Sequence, residues 1–169
     1  MPDGALAFAF ALDGDLARLR IPARGPHRRA DRLWEHTCFE AFIAPKDAQT
    51  YFEFNFAPSR EWAAYAFPRY RDGKALELAW TPAISVRRTA DRLELDATIR
   101  VDRLPGVPPH APLRLGLSAV VEDEQGHRAF WALRHPPGQP DFHHRDAFAL
   151  EIDPPDADLM NDPAAAARQ

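Results

Sequence analysis

The sequence predicts an all-β protein, a single antiparallel β-sandwich of the jelly-roll type. Three observations carry that prediction. Residues 51–56, YFEFNF, alternate without a break, with Phe52, Phe54 and Phe56 on one side and Tyr51, Glu53 and Asn55 on the other. This is the period of a strand that turns one face to a core. Seventeen prolines fall between the apolar runs rather than inside them, which suits short strands joined by rigid loops. About nine or ten strand-length runs follow one another at roughly even spacing, with turn signals between them and no convincing amphipathic helix.

Taken in order, residues 6–12 and 16–21 flank Asp13-Gly14-Asp15, and Asp-Gly between apolar runs predicts a hairpin. Residues 22–32, PARGPHRRADR, form a polar loop with His27-Arg28-Arg29 as solvated surface. Residues 34–43 make the next strand, with Phe39, Ala41 and Ile43 on one face and Trp34, His36, Cys38, Glu40 and Phe42 on the other. A turn over 45–49 leads into strand 51–56, and a second turn at 58–60 into strand 61–67 with Trp62. Residues 70–80 are ambiguous: Gly73 marks a turn, and 75–80 reads as a short strand. Residues 84–88 and 93–99 form a hairpin around Thr89-Ala90-Asp91. A proline-rich loop over 102–112 precedes strand 113–121, then the turn EDEQGH and strand 128–133. The loop HPPGQPDFHHRD leads to a last strand, 147–152. Phe52, Phe54, Phe56, Leu115, Leu117 and Phe148 are the expected core. Residues 1–153 read as one domain and residues 154–169 as a tail without core pattern, in which 164–168 suits a helical turn.

The chain has 169 residues, 46% hydrophobic and 27% charged, which is enough for one real core. A formal net charge of −4 invites neither nucleic acid nor an anionic membrane. No apolar stretch is long enough to span a bilayer. The start, MPDGALAFAFALDGD, has no Lys or Arg ahead of its short apolar run, so it reads as a strand and the protein as cytoplasmic. The lone Cys38 excludes an internal disulfide and reads as a buried, inert thiol. Nothing in the pattern assigns an oligomeric state.

The candidate site follows from alternation. Glu40, Glu53 and Asn55 fall together on one sheet face, with Trp34 near by. An unpaired carboxylate inside an apolar strand would cost several kcal/mol, so Glu40 is hydrogen-bonded in the fold or functional. The loop 135–146 holds His135, Asp141, His143 and His144, three of the seven histidines. Three readings stay open there: Asp141 and His143 pin the loop, they touch a sugar, or they ligate a metal. The last is disfavoured, because no HxH or HxxxH spacing occurs and adjacent histidines on an extended chain point apart. The loop is expected to pack over the same end of the sandwich as Trp34. Gly-x-Ser-x-Gly, Walker and Rossmann signatures are absent.

LWEHTCFEAFIAP (33–45), YFEFNFAPSREWAAYAF (51–67), LRLGLSAVVED (113–123) and FWALRHPPGQPDFHHRDAFAL (130–150) together resemble bacterial DOMON-like proteins related to type 9 carbohydrate-binding modules. The likeness runs over about residues 6–152. It implies a jelly-roll sandwich and non-catalytic binding of a carbohydrate or similar small polar ligand. Type 9 modules hold saccharides between tryptophans with carboxylates and amides around them. The resemblance therefore implies Trp34 and Trp131 as stacking platforms and Glu40, Glu53, Asn55, His135, Asp141 and His143 as polar contacts. Haem-binding DOMON proteins use a methionine and a histidine as axial ligands. Met1 and Met160 are the only methionines here and both lie in terminal segments, so no cofactor and no metal is expected. The alternatives are an enzyme using the His135, Asp141 and His143 loop with Glu40 or Glu53, and a structural module without a small ligand.

Overall fold

The computed structural model describes residues 4–153; Met1, Met160 and the proposed tail lie outside that range. Ten strands pack as two antiparallel sheets, and the described residues contain no α-helix. The protein is a β-sandwich. The smaller sheet has the order β1 (Ala5–Asp13), β7 (Arg92–Arg100), β6 (Ala83–Arg88). The larger is seven-stranded: β10 (Leu150–Ile152), β8 (Leu113–Glu122), β2 (Cys38–Pro45), β3 (Tyr51–Phe56), β4 (Trp62–Arg69) and β5 (Asp72–Ala75), with β9 (Arg128–Ala132) also on β8. One edge of β8 is thus shared, β10 taking Leu113–Leu115 and β9 taking Ser118–Glu122.

Register sorts the side chains. Phe39, Ala41 and Ile43 of β2 stand opposite Phe56, Phe54 and Phe52 of β3, which stand opposite Trp62, Ala64 and Ala66 of β4. Ala119, Leu117 and Leu115 of β8 extend the layer beyond β2. Against it pack Leu6 and Phe8 of β1 and Leu93, Leu95, Ala97 and Ile99 of β7. Small residues on β4 (Ala64) and β2 (Ala41) face the phenylalanine row of β3, so large and small side chains interdigitate.

The hairpin around residues 89–91 forms as expected, β6 pairing with β7 from Arg88↔Leu93 to Ala83↔Thr98. The one expected at Gly14 does not. β1 pairs along its whole length with β7 instead, and the Gly14 amide donates to the Asp91 carbonyl at 2.9 Å. The Asp15 side chain then accepts from the Ala17 amide and starts a 3-10 turn, Leu16–Arg18, that buries Leu16. A cap followed by an anchor takes the chain out of the sheet where two flanking apolar runs suggested a second strand. Trp34 is likewise off the strand, in the 3-10 turn Leu33–Glu35.

Two other expectations are revised. Leu117 is only partly buried, whereas Phe148 is buried as expected, in a second core cluster with Phe42, Tyr51 and Phe67 on the opposite face of the larger sheet. Gly73 lies inside β5; the turn is at Tyr70-Arg71, with Arg71 at φ 55°. A Cβ at Gly73 would come within 2.2 Å of the Phe67 ring, and that ring is stacked on Tyr51 at 4.6 Å. Glycine is therefore needed for close approach.

Two measurements check this packing. Phe54→Ala, a fully buried side chain, should lower the urea-unfolding free energy by about 3–5 kcal/mol. Gly73→Ala should cost about 1–3 kcal/mol by overpacking, with the loss absent when Phe67 is also reduced to Ala.

Candidate functional site

The face of the larger sheet that points away from the smaller one is also buried, which a solvated outer face would not be. Cys38, Glu40 and Phe42 of β2, Tyr51, Glu53 and Asn55 of β3 and Ser118 and Val120 of β8 are all shielded. The loop 134–149 and the 3-10 turn carrying Trp34 border this face. Between them lies a cleft of about 470 Å³, with Glu40, Glu53 and His143 among its lining and Trp34, Tyr65, Phe67, Phe130 and Phe142 as walls.

Its floor is a connected polar network. Glu40 stands directly across from Asn55 on one side and Ser118 on the other. Ser118 Oγ donates to Glu40 Oε2 at 3.0 Å, and Cys38 Sγ lies 3.8 Å from Oε1. Asn55 Nδ2 donates to Glu53 Oε1 at 2.7 Å, since residues two apart on a strand share a face. The Asp141 carboxylate gathers the loop: it accepts from Tyr70 Oη at 2.5 Å, Arg71 Nη2 at 2.8 Å and the His143 amide at 3.1 Å. Arg71 in turn donates its backbone N–H to the Tyr51 hydroxyl at 3.1 Å. The same hydroxyl is hydrogen-bonded to His143 Nδ1, 2.9 Å away. The other ring nitrogen, Nε2, faces Glu53 Oε2 at 3.8 Å.

Burial dominates the electrostatics. Glu40 is pushed up to about 8, first by burial and then by the neighbouring Glu53. Glu53 is raised by burial to about 7, against the opposing effects of the Asn55 hydrogen bond and Arg71. His143 is boxed in by the rings of Phe42, Tyr51 and Phe67, and burial followed by Arg71 lowers it to about 4. Burial also pushes the Cys38 thiol well up. Near neutral pH the floor therefore retains a proton on its carboxyl pair and both donates and accepts hydrogen bonds. Arg71 is held in the left-handed region at the cleft's edge, and Asp141 fixes its guanidinium.

The structure gathers Trp34, Glu40, Glu53 and His143 around one cleft, which is the proximity of loop and tryptophan expected above. Asn55 is fully buried and holds Glu53 rather than lining the cleft. Asp141 anchors the loop. His135 sits 6.1 Å from the Phe142 ring and supports that wall. Trp131 is 63% exposed and stands opposite Ala119, a residue that packs toward the core, so it faces away from the carboxyl pair. Its neighbour Phe130, opposite Val120, takes the wall position. Sequence reasoning missed Arg71, Tyr65 and Phe130. Alternation about Trp131 shows only that 130 and 131 face opposite ways; which one enters the site depends on the register of β9 on β8. Among the described residues no group of three or more His, Cys, Asp and Glu side chains comes together to hold a metal, and no helix is long and apolar enough to cross a membrane.

No family model and no curated protein matches the chain. A solved structure described as a “putative carbohydrate-binding protein” from Bacteroides uniformis is similar with a TM-score of 0.54 at 16% identity, over 83% of this chain and 68% of that one. At this identity the likeness concerns the fold, and it agrees with the antiparallel β-sandwich seen here.

Stability should depend on pH with two limbs of opposite sign. The carboxyl pair keeps protons that the unfolded chain releases. Its contribution is full below the ordinary 4.5 and is lost as pH rises to about 8. His143 stays neutral where the unfolded ring charges, so stability also falls as pH drops from 6.5 toward about 4. Thermal melts of Glu40→Gln should show a flattened alkaline limb and an unchanged acid limb. Equal slopes in wild type and variant above about pH 6 would contradict this account of the pair.

Proposed function

We propose that the cleft binds a carbohydrate or a similar small polyhydroxylated ligand without breaking a bond in it. The observation that carries this reading is the pairing of a proton-retaining carboxyl floor (Glu40 and Glu53) with aromatic walls (Trp34, Tyr65, Phe67 and Phe130) in one cleft. Sugar rings present apolar CH faces that suit aromatic contact and paired hydroxyls that both donate and accept. A protonated carboxyl group donates, an ionised one accepts, and the two side by side serve a hydroxyl in either role. The volume, about 470 Å³, falls within the usual span of small-ligand pockets, roughly 300–1,000 Å³. Two likenesses support the reading: the fold shared with the described carbohydrate-binding protein, and the resemblance of four sequence blocks to DOMON-like proteins and type 9 modules. Within it, Trp34 stacks on the ligand, Glu40 and Glu53 take its hydroxyls, Asn55 positions Glu53, and Asp141 positions Arg71 and the His143 loop.

A second reading has its own observation. Glu53 is pushed up to about 7 beside His143 Nε2 at 3.8 Å, and a titrating group poised near neutrality suits general acid–base work. In that case Glu53 serves turnover more than affinity.

A thermal-shift screen of the full chain over mono- and disaccharides separates the two. A ligand at 100 times its dissociation constant adds about 2.7 kcal/mol of stability. Trp34→Ala should remove the shift while the unliganded melting temperature stays near that of wild type, because Trp34 is 38% exposed. Glu53→Gln should weaken binding by about 1–3 kcal/mol, with no product formed by either protein. Product formed by wild type and lost in Glu53→Gln with affinity kept would establish the enzyme instead. A screen without any saccharide shift would sink the carbohydrate reading.

A further inference from the structure

A second cavity, of about 320 Å³, adjoins the cleft, and His143 lines both. Its chemistry is different. Lys46 from the turn after β2, Arg69 at the end of β4, Arg114 on β8 and Arg145 in the 3-10 turn Arg145–Ala147 line it, and no carboxylate does. Four cations meet here in a chain whose net charge is −4. Two carboxylates stand beside them, Glu151 at 2.9 Å from Lys46 and Asp72 at 2.9 Å from Arg69. Neither satisfies the arginines between them. The Arg145 guanidinium has no partner among the described residues. Arg114 is partly buried, and its Nη2 makes only long hydrogen bonds, 3.4 and 3.3 Å, to the carbonyls of Arg145 and Phe148. Its buried Nε has no hydrogen bond, because Glu151 Oε1 stops at 3.8 Å. A guanidinium N–H held out of water without an acceptor is costly, and two arginines facing one cavity repel each other. An anion in the cavity relieves that repulsion and gives the Arg145 guanidinium an acceptor.

From this arrangement we propose that the cavity binds the phosphate group of a small organic phosphate monoester. The two guanidinium groups with no carboxylate at hydrogen-bonding distance, Arg114 and Arg145, suit the −1.5 to −2 of such a group near neutral pH, about twice that of a carboxylate. Tetrahedral phosphate oxygens also accept from two planar guanidinium forks at once. The organic body rests on Tyr51 and Phe148, whose rings meet edge to face at 5.7 Å and form the apolar side of the cavity. Apart from the shared wall at His143, this site uses residues other than those of the saccharide cleft, and it predicts binding whether or not a sugar is bound next door.

Isothermal titration calorimetry on the full chain at low ionic strength, with phenyl phosphate, inorganic phosphate and benzoate as probes, tests it. Phenyl phosphate should bind saturably and most tightly of the three. Arg145→Ser and Arg69→Ser, both changes of exposed side chains, should keep the wild-type melting temperature and weaken binding about tenfold or more. Trp34→Ala should leave it within about twofold, and phenyl phosphate should shift backbone amide resonances of residues 44–51 and 143–148. Benzoate binding as tightly would overturn the match to a dianion, and inorganic phosphate binding as tightly would overturn the role of the aromatic wall. No saturation at on the order of 10 mM, or affinity unchanged in both arginine variants, would overturn the site.

Discussion

Strand β3 is buried on both faces, and the rest of the structure answers to that constraint. A strand shielded on both sides must find a cover for each. The phenylalanine face is covered by β1, β7 and β6, an ordinary hydrophobic closure. The Tyr51, Glu53 and Asn55 face cannot be closed in the same way, because burying it with apolar groups alone would strand a carboxylate and an amide. The loop 134–149 closes it partway with mixed chemistry, placing His143 and Phe142 over the sheet and leaving the cleft open above the carboxyl pair.

The polar network on that face is consequently continuous rather than a set of separate pairs. Ser118 holds Glu40, Asn55 holds Glu53, and the Tyr51 hydroxyl pairs with His143. Asp141 ties the loop to the Tyr70-Arg71 turn. The fold thereby sustains two acidic groups in a low-dielectric setting by keeping them protonated more readily than in water. Stability is given up here in exchange for a floor that meets hydroxyl groups in both directions. The backbone of Arg71, in the left-handed region that residues other than glycine seldom occupy, is a further sign that local comfort yields to placement at this edge.

His143 and Tyr51 form the boundary between two cavities of opposite character. One has acidic groups at its floor and aromatic walls; the other is ringed by guanidinium groups. A wall of two hydrogen-bonded rings, packed tightly on Phe67 and Phe148, keeps the charges of each side apart.

By itself the sequence determined what periodicity controls. The alternation of 51–56 places Phe52, Phe54 and Phe56 in the core and Glu53 and Asn55 opposite them. The same period brings Glu40 onto the second face, and the spacing of prolines and turns favours short strands over helices. These are local properties, because a strand's pleat assigns faces without reference to its neighbours. Tertiary structure alone decided everything that depends on register and partner. Whether Phe130 or Trp131 reaches the cleft follows from β9 pairing with β8 at Val120, and the fate of residues 16–21 from β1 choosing β7 over its neighbour in sequence. That Arg71, from a turn, and His143, from a distant loop, meet across Tyr51 is fixed by contacts between residues far apart in the chain. No local pattern encodes such contacts, since they form only when the sheet has closed and the loop has folded back over it.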